Sequence, residues 1–250
     1  MKNENPKKYL DAIGRIHSIE TFGAIDGPGL RYIIFLQGCP LRCLFCHNPD
    51  TWKFKDGKLA KVSDLVNDVI SYKSFLKSGG VTISGGEPLA QPEFTKSLIK
   101  AFKNENIHTA IDTAGALPLK NSKEILDAVD MVLLDIKTLD DDIAAELTSQ
   151  SIENTLETLD YLQSINKRTW IRHVLVPGYT LNEKSLREVA SYLKDFSCIE
   201  RVELLPFHKM GEFKWAELGY DYKLLETKEP TKEEIRLAKS IFREYGFMME

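Results

Sequence analysis

The feature that most constrains the fold of this chain is a regular alternation of strand-like and helix-like segments along its length. Short runs rich in β-branched and aromatic residues predict six strands, at residues 31–36, 81–84, 107–112, 131–136, 169–176 and 199–205. This alternation predicts an α/β fold with a parallel sheet and right-handed helical crossovers, either doubly wound or curled into a barrel. In both arrangements we expect the functional residues at the carboxyl ends of the strands.

The helical patterns between these strands have recognisable beginnings. Ser63 is a candidate N-cap for the first helix, and Thr231 with Glu234 forms a capping-box sequence before the last. Further helices are predicted at residues 92–104, 122–129, 142–147, 152–165 and around 181–193. Residues 51–61 are predicted to be a short polar link. We find no internal repeat, and expect an N-terminal extension over residues 1–12 followed by one domain over residues 13–250.

Composition narrows the class of protein. With 43% hydrophobic residues the 250-residue chain is able to build a core, and no apolar run approaches the roughly 18 residues that span a bilayer. Residues 1–10 are rich in Lys and Asn and lack the apolar centre of a secretory signal, so we expect a cytoplasmic protein without a membrane partner. The net charge of −4 argues weakly against nucleic acid as a partner.

The cysteines are concentrated in one place. Cys39, Cys43 and Cys46 follow the first predicted strand with the spacing Cys-x3-Cys-x2-Cys, whereas Cys198 stands alone. Four cysteines are too few for a disulfide scaffold in a chain of this length. The three clustered thiols allow four interpretations: buried thiols that pack as small hydrophobic side chains, a structural zinc site, covalent haem at Cys43-Leu-Phe-Cys46-His47, or an iron–sulfur cluster.

The chemistry of the ligands favours the iron–sulfur cluster. Structural zinc requires four ligands, and His47 is poorly placed for that role beside Cys46. Covalent haem of this type is typical of exported proteins, and an export signal is not evident in this sequence. Thiolates are the usual ligands of iron–sulfur clusters. Three thiolates on a cubane of four irons leave one iron open to an exogenous ligand.

Other polar motifs end the predicted strands. Ser84-Gly85-Gly86-Glu87 follows the second strand, Asp112-Thr113 the third, and Asp135-Ile136-Lys137 the fourth. Taken singly, each has a structural interpretation, because strand ends commonly carry glycine turns, caps and salt bridges. Beside the cysteine motif, glycines, carboxylates and a lysine at one rim instead indicate a ligand site.

These motifs together resemble a known superfamily. The cysteine spacing after the first strand of a βα series is similar to that of the radical S-adenosylmethionine (SAM) superfamily, and within it to the glycyl-radical activases that act on pyruvate formate-lyase. The resemblance implies a partial (β/α)6 TIM-like barrel of parallel strands with outer helices, and an oxidoreductase. The motifs that carry it are Gly14–Ser18, Asp26–Gly29, Gln37–Asp50, Ser84–Glu87, Asp112-Thr113, Leu134–Lys137, Trp170–Arg172, Val176–Gly178 and Glu203–His208.

The resemblance implies two cofactors and a reaction. Cys39, Cys43 and Cys46 would bind a 4Fe–4S cluster whose open iron chelates the amino and carboxylate groups of SAM. One electron then splits the sulfonium–C5′ bond and yields methionine and a 5′-deoxyadenosyl radical. In this family the radical takes a Cα hydrogen from a glycine of the partner enzyme, here pyruvate formate-lyase, and leaves a glycyl radical.

Residue roles follow from the same resemblance. The glycine motif would bind the methionine amino group, Phe45 would lie near the adenine, and His208 would contact the adenosine. The residues expected at the SAM site are Phe45, Cys46, His47, Gly85, Gly86, Glu87, Asp112, Asp135, Ile136, Lys137, Arg172 and His208.

Two residues are expected to be catalytic. The resemblance places Asp26 near the backbone of the protein substrate, and Arg172 near the cofactor or the incoming glycine loop. As alternatives, Asp26 is a turn residue before glycine, and Arg172 forms a surface ion pair. Asp112, Thr113 and Asp135 would form an oxygen-rich pocket for a monovalent cation beside the cofactor carboxylate.

The resemblance also implies partners. We expect a monomer that receives its electron from reduced flavodoxin or ferredoxin, and Cys198 is expected to be dispensable. The alternatives are an activase of a different glycyl-radical enzyme, a radical SAM enzyme that acts on a small molecule, and a non-enzymatic iron–sulfur or zinc module. The last would require a fourth thiol near the cluster, which this sequence lacks. The sequence also lacks a cysteine-rich insert after the cysteine motif, which favours the pyruvate formate-lyase type.

Overall fold

The computed structural model describes residues 7–249, in which the strands form one sheet with the order β3-β1-β2-β4-β5-β6-β7-β8. Strand β2 pairs in parallel with β4, β4 with β5, and β7 with β8, whereas β1 pairs antiparallel with both β2 and β3. The strands are β1 (Ile13–Gly23), β2 (Arg31–Leu36), β3 (Lys58–Lys61), β4 (Gly80–Gly85), β5 (Thr109–Thr113), β6 (Met131–Asp135), β7 (Thr169–Leu175) and β8 (Ile199–Pro206).

From β3 to β8, one α-helix lies between each strand and the next along the chain, apart from the connection between β6 and β7, which contains two helices. No helix among residues 7–249 is both long and apolar enough to cross a membrane. The helices are α1 (Val62–Tyr72), α2 (Pro92–Asn104), α3 (Leu119–Ala128), α4 (Asp141–Thr148), α5 (Glu153–Ser164), α6 (Glu183–Leu193), α7 (Glu212–Glu217) and α8 (Lys232–Glu244).

The predicted α/β fold with its mostly parallel sheet is confirmed. The six predicted strands correspond to β2 and β4–β8, with ends that differ by a few residues. Strands β1 and β3 were not predicted. The interpretation of residues 51–61 as a link is wrong at residues 58–61, because Lys58–Lys61 pairs with the start of β1. Such a short edge strand is defined by its partner rather than by its own sequence pattern.

The helix caps were predicted with mixed success. The capping box at Thr231 and Glu234 is present at the start of α8. Ser63 is not an N-cap, since α1 already begins at Val62 and the Ser63 hydroxyl contacts the side chain of Asp64 at 3.3 Å. Helix α7 was not predicted, because six residues are too few to show a helical period.

The chain divides into two compact units. The first takes in the described residues up to Pro40, together with Thr51–Thr113 and Leu117–Leu133. It contains β1–β5 and α1–α3. Its core is built from fully buried strand residues such as Ile33, Ile83 and Ile111 and from the apolar faces of the helices.

The second unit takes in Leu41–Asp50, Ala114–Ala116 and Leu134–Glu250. It contains β7, β8 and α4–α8, and its core includes the fully buried Leu193 and Phe242. The boundaries predicted for an N-terminal extension and a single domain stay a prediction, and residues 1–6 of that extension lie outside the described residues.

The described part of the predicted extension packs onto the first unit. Residues Lys8–Asp11 form a short 3-10 helix. The Tyr9 hydroxyl accepts a hydrogen bond of 2.6 Å from Asn104, and Asp11 pairs with Lys61 at 2.7 Å. These contacts are exposed and contribute little to the free energy of folding.

Candidate functional site

The cysteine loop begins where β2 ends, in the first unit. Gly38 turns the chain with a φ of +95°, a conformation that glycine adopts without strain. Its amide donates to the carbonyl of Thr51 at 2.7 Å, and the amide of Cys39 donates to the carbonyl of Trp52 at 3.3 Å. These bonds fix the backbone of Cys39, whose residue is 9% exposed.

The glycine turn after β4 packs directly on the start of this loop. The amide of Gly86 donates to the carbonyl of Leu36 at 2.8 Å, and that of Glu87 to the carbonyl of Gly38 at 2.9 Å. A Cβ atom on Gly86 would lie 2.4 Å from the Gly38 carbonyl oxygen and 3.2 Å from the Cβ of Cys39. The close approach therefore requires glycine here. Both motifs lie at the carboxyl ends of their strands, as expected.

Hydrogen bonds inside the first unit hold Glu87 and Asp112. The Oε1 atom of Glu87 accepts from the amide of Leu89 at 3.0 Å and from the hydroxyl of Thr113 at 2.6 Å, and the residue is 1% exposed. The Ser84 hydroxyl donates to Oδ2 of Asp112 at 2.8 Å. These bonds join the carboxyl ends of β4 and β5. Glu87 therefore has a structural role as a cap, and its contact with a cofactor stays a prediction.

Asp26 lies at the opposite edge of the first unit's sheet from Cys39. Asp26 precedes β2, whereas Cys39 follows β2. The strand has 6 residues, so its two ends are roughly 20 Å apart. Asp26 is therefore an exception to the expectation that the motifs share the carboxyl ends of the strands. Its predicted role at the partner's backbone stays a prediction.

A buried arginine, which sequence reasoning missed, holds the loop of Asp26. Arg31 is 0% exposed, its Nε donates to the Thr82 hydroxyl at 2.9 Å, and its Nη2 donates to the Val81 carbonyl at 2.5 Å. The Thr82 hydroxyl in turn donates to the carbonyl of Asp26 at 2.6 Å. Burial lowers the pKa of Arg31 to about 10, against the opposing charges of Asp130 and Asp26. The available signal was an arginine that opens an otherwise apolar strand.

Cys43 and Cys46 lie in the second unit, in a tight turn. The amide of Cys46 donates to the carbonyl of Cys43 at 3.0 Å, and the indole N–H of Trp215 donates to the Cys46 carbonyl at 2.9 Å. Burial raises the pKa of the Cys43 thiol to about 12, although Lys137 opposes this shift. Because iron binds the thiolate, the free energy of metal binding must cover the release of this proton.

Phe45, between these two cysteines, is anchored by packing. The residue is 8% exposed. The Nζ atom of Lys137 lies 5.2 Å from the centroid of its ring, within the range of a cation–π contact. The buried residues that form one apolar cluster with Phe45 are Leu147, Val176, Phe207 and Leu224.

His47 and His208 form a stacked pair in the second unit. Their ring centroids are 4.0 Å apart with an interplanar angle of 23°, and the Nε2 of His47 lies 3.0 Å from the carbonyl oxygen of His208. Burial lowers the pKa of His47. The Nδ1 atom of His208 is buried without a hydrogen-bond partner among residues 7–249. The pair therefore presents a polar atom that a ligand is able to satisfy.

The segment after β6 is held from several sides within the second unit. Asp135 ends β6, and its Oδ2 pairs with Nζ of Lys137 at 2.7 Å. The amide of Ile136 donates to the carbonyl of Arg172 at 3.0 Å, and Nδ1 of His173 lies 2.7 Å from the Ile136 carbonyl oxygen. Burial lowers the pKa of His173, so its ring is neutral at pH 7 and Nδ1 is the donor. Sequence reasoning missed His173.

Arg172 lies on β7 and faces a glutamate on the neighbouring strand. It is 9% exposed, and its Nε lies 3.7 Å from Oε2 of Glu203 on β8. Glu203 also pairs with Arg201 at 3.1 Å. The alternative interpretation of Arg172 as a surface ion pair is therefore met in part, because the ion pair forms but both side chains are largely buried. Its predicted contact with the cofactor or the glycine loop stays a prediction.

The predicted site residues fall into two groups, one in each unit. The monovalent-cation pocket stays a prediction, since Asp112 and Thr113 belong to the first unit and Asp135 to the second. The first unit holds Asp26, Cys39, Gly85, Gly86, Glu87, Asp112 and Thr113, and the second holds Cys43, Phe45, Cys46, His47, Asp135, Ile136, Lys137, Arg172 and His208.

The donor set fits an iron–sulfur cluster. Each of the four cysteines, all within the described part of the chain, is a thiol rather than half of a disulfide. Across residues 7–249, no group of three His, Cys, Asp or Glu side chains has an arrangement that could hold a single metal ion. In a cluster, each thiolate binds a different iron, so the relevant test is the chemistry of the donors. Three thiols, with a glycine turn packed on the first of them, pass that test.

Comparison with known proteins agrees with this chemistry. Residues 33–190 match the family model described as the Radical SAM superfamily. The chain belongs to the radical SAM superfamily. It is 42% identical over 241 residues to the pyruvate formate-lyase 1-activating enzyme of Escherichia coli K12, and the match covers 95% of this chain and 98% of that protein. It is 43% identical over 234 residues to the pyruvate formate-lyase-activating enzyme of Clostridium pasteurianum, which covers 93% and 98%.

Solved structures share the fold of this radical SAM chain. A domain of a pyruvate-formate lyase-activating enzyme from Bacteroides vulgatus superposes with a TM-score of 0.58 at 25% identity, and covers 68% of this chain and 96% of that one. Streptococcus suis SuiB, bound to its precursor peptide SuiA, superposes with a TM-score of 0.69 at 20% identity over 91% of this chain and 47% of its own. The second likeness concerns the fold alone.

Proposed function

We propose that this chain is an activating enzyme that installs a glycyl radical on pyruvate formate-lyase. The observation that carries the proposal is the identity of 42% to an activating enzyme of that name over 95% of the chain. The match is nearly end to end in both proteins, so it includes the segments outside the cysteine motif. The radical SAM superfamily to which the chain belongs implies both a 4Fe–4S cluster and SAM.

Cys39, Cys43 and Cys46 would hold the cluster. Bound there, it would supply the electron that splits SAM into methionine and the 5′-deoxyadenosyl radical that abstracts the glycine Cα hydrogen. The fourth cysteine has no part in this proposal. Cys198 is 3% exposed and lies just before β8, where burial raises the pKa of its thiol.

The remaining site residues would orient SAM and exclude water. The backbone of Gly85 and Gly86 is proposed to accept the methionine amino group, with Glu87 fixing the turn from within. The ammonium of Lys137 offers a positive charge for the carboxylate or the ribose of SAM. The stacked pair of His47 and His208 offers a buried nitrogen to the adenosine.

Further residues complete the proposed SAM site. Phe45 would lie near the adenine, with its ring held by the apolar cluster behind it. Asp112, Asp135 and Ile136 would line the methionine end, and Arg172 would approach the cofactor or the incoming glycine. Asp112, Thr113 and Asp135 carry the oxygen ligands that a hard monovalent cation requires, and we include such an ion in the proposal.

The partners follow from the proposed reaction. Pyruvate formate-lyase is the protein substrate, and reduced flavodoxin or ferredoxin supplies the electron. We place the reaction in the cytoplasm and the activating enzyme in the monomeric state. Asp26 is proposed to meet the backbone of the protein substrate.

The decisive experiment is electron paramagnetic resonance under anaerobic conditions. Reconstituted, reduced protein is mixed with SAM and pyruvate formate-lyase, and we expect the doublet of a glycyl radical on the lyase. Cys198→Ala should retain the cluster absorbance and the doublet, whereas Cys43→Ala should lose both. SAM cleavage without a doublet on the lyase would instead indicate a different glycyl-radical partner or a small-molecule substrate.

A further inference from the structure

Exposed positive charge collects at residues 53–58, shortly after the cysteine loop and within the first unit. Lys53, Lys55 and Lys58 are exposed, and none of the three forms an ion pair with another residue of the described range 7–249. Asp56 is the one carboxylate in this stretch of sequence. Three positive charges therefore stand against one negative charge, in a chain whose net charge is −4. The net charge of this segment is therefore positive, whereas that of the whole chain is negative.

Hydrogen bonds fix this segment beside the first cysteine. The amide of Cys39 donates to the carbonyl of Trp52 at 3.3 Å, and the side-chain amide of Gln37 donates to the carbonyl of Lys53 at 3.0 Å. Trp52 itself is buried, with 7% of its surface exposed. One hydrogen bond thus joins the backbone of Cys39 to the residue before Lys53. An electron that passes from this surface to Cys39, a proposed cluster ligand, would therefore cross one peptide bond and one hydrogen bond.

An exposed aromatic ring lies among the lysines. Phe54 is 48% exposed, and a Cβ atom on Gly38 would lie 2.4 Å from its Cδ1, so the ring covers Gly38. Phe54, Pro40 and Leu89 also line a cavity of about 550 Å³ in the first unit. Because the charged side chains at this cavity balance in sign, the excess positive charge comes from the lysine segment alone. Those balanced side chains are Glu93, Lys96, Lys120 and Glu124.

We propose that residues 53–58, with the cavity beside Phe54, form the docking surface for an acidic one-electron carrier protein that reduces the cluster. The proposal rests on the proposed function, because an electron is needed at Cys39 only if the cluster is bound there. In the transfer the carrier is oxidised by one electron and the cluster is reduced by one, and no bond forms or breaks. An exposed aromatic residue flanked in sequence by lysines without ion pairs suits a transient partner, since charge complementarity speeds encounter while the aromatic ring supplies packing.

The test is a binding measurement with oxidised flavodoxin as the probe and the cluster-loaded protein as its partner. Lys53→Glu/Lys55→Glu should weaken the complex at least tenfold at low ionic strength. The matched control is Lys184→Glu/Lys194→Glu, which makes the same change in net charge at two exposed lysines of α6 and its C-cap. It should change the dissociation constant by less than about twofold. Salt at about 0.5 M should weaken wild-type binding and reduce the difference, because screening acts on exposed charges.

Activity with two reductants separates docking from chemistry. Glycyl-radical formation driven by reduced flavodoxin should fall in Lys53→Glu/Lys55→Glu, whereas the rate driven by dithionite should equal that of the wild type. Equal flavodoxin affinity in wild type and variant would overturn the proposal, as would equal weakening in the control. A change in self-association in place of flavodoxin binding would also overturn it, because the surface would then join two copies of this chain. Failure of the wild type and the variants alike with dithionite would count against the proposed function, while the binding constants would still decide the docking surface.

Discussion

The buried network of Arg31, Thr82 and Asp26 leads to a quantitative prediction for the first unit. Thr82→Val keeps the shape of the side chain but removes a hydroxyl that accepts from Arg31 Nε at 2.9 Å and donates to the Asp26 carbonyl at 2.6 Å. A buried polar group left without its partner costs about 1–3 kcal/mol, and more when it is charged. Two such losses, one of them at a guanidinium, sum to about 4 kcal/mol in the free energy of unfolding.

Thermal unfolding measures this loss. A change of 1 kcal/mol shifts the Tm of a chain of this size by about 2–4 °C, so Thr82→Val should melt about 8–16 °C below the wild type. Thr95→Val provides the matched control. Thr95 is also 0% exposed, but its hydroxyl donates to one neutral carbonyl, that of Pro88, at 2.7 Å. Its loss should cost about 1 kcal/mol, or about 2–4 °C.

The comparison of the two variants decides the matter. If Thr82→Val and Thr95→Val lose equal stability, the bond to the buried arginine does not hold the loop of Asp26, and the reasoning is refuted. Circular dichroism at low temperature must show the wild-type helix content in both variants, since a misfolded chain would give no meaningful Tm.

Two further predictions concern the first unit. Gly86→Ala places a Cβ 2.4 Å from the Gly38 carbonyl oxygen, so the backbone of the cysteine loop must shift; the variant should have a lower Tm and bind SAM at least tenfold more weakly, and an unchanged Tm together with an unchanged affinity in an equilibrium titration would contradict the close-packing argument. Burial raises the pKa of Asp130, but hydrogen bonds from Thr109 and Lys103 outweigh it and leave the pKa below its ordinary value. The stabilisation is therefore full above the ordinary carboxyl pKa and lost as pH falls through the folded one. Asp130→Asn should lower the Tm at pH 7, and its deficit should shrink on acidification from about pH 5 to pH 3; a constant deficit would count against this pairing.

Much of the site's placement follows from local sequence pattern. Apolar runs mark the strands, and the residue types that interrupt them mark the strand ends. Gly85, Thr113 and Asp135 are indeed the last residues of β4, β5 and β6. Parallel strands share one carboxyl edge, so a list of strand ends is already a list of candidate site residues.

The partners of those residues could not be read from the sequence. His47 bonds to the backbone of a residue 161 positions away, and Arg31 reaches Thr82, which is 51 positions away. The motif predicts a ligand residue at Glu87, yet its Oε1 accepts hydrogen bonds from Leu89 and Thr113 of the protein itself. No periodic pattern records such contacts, because each depends on how distant segments pack.

The sequence by itself determined the class of fold, the positions of the parallel strands along the chain and the chemistry of three clustered thiols, because periodicity, strand ends and ligand type are local properties. Only the tertiary structure decided that Arg31 is buried and bonded to Thr82, and that the segment of the lysines at 53–58 is hydrogen-bonded to the backbone of Cys39 through Trp52. These facts depend on long-range pairing, as the pairing of β3 with β1 does. The free energy of such pairing comes from burial and hydrogen bonds between distant segments, which no single segment encodes.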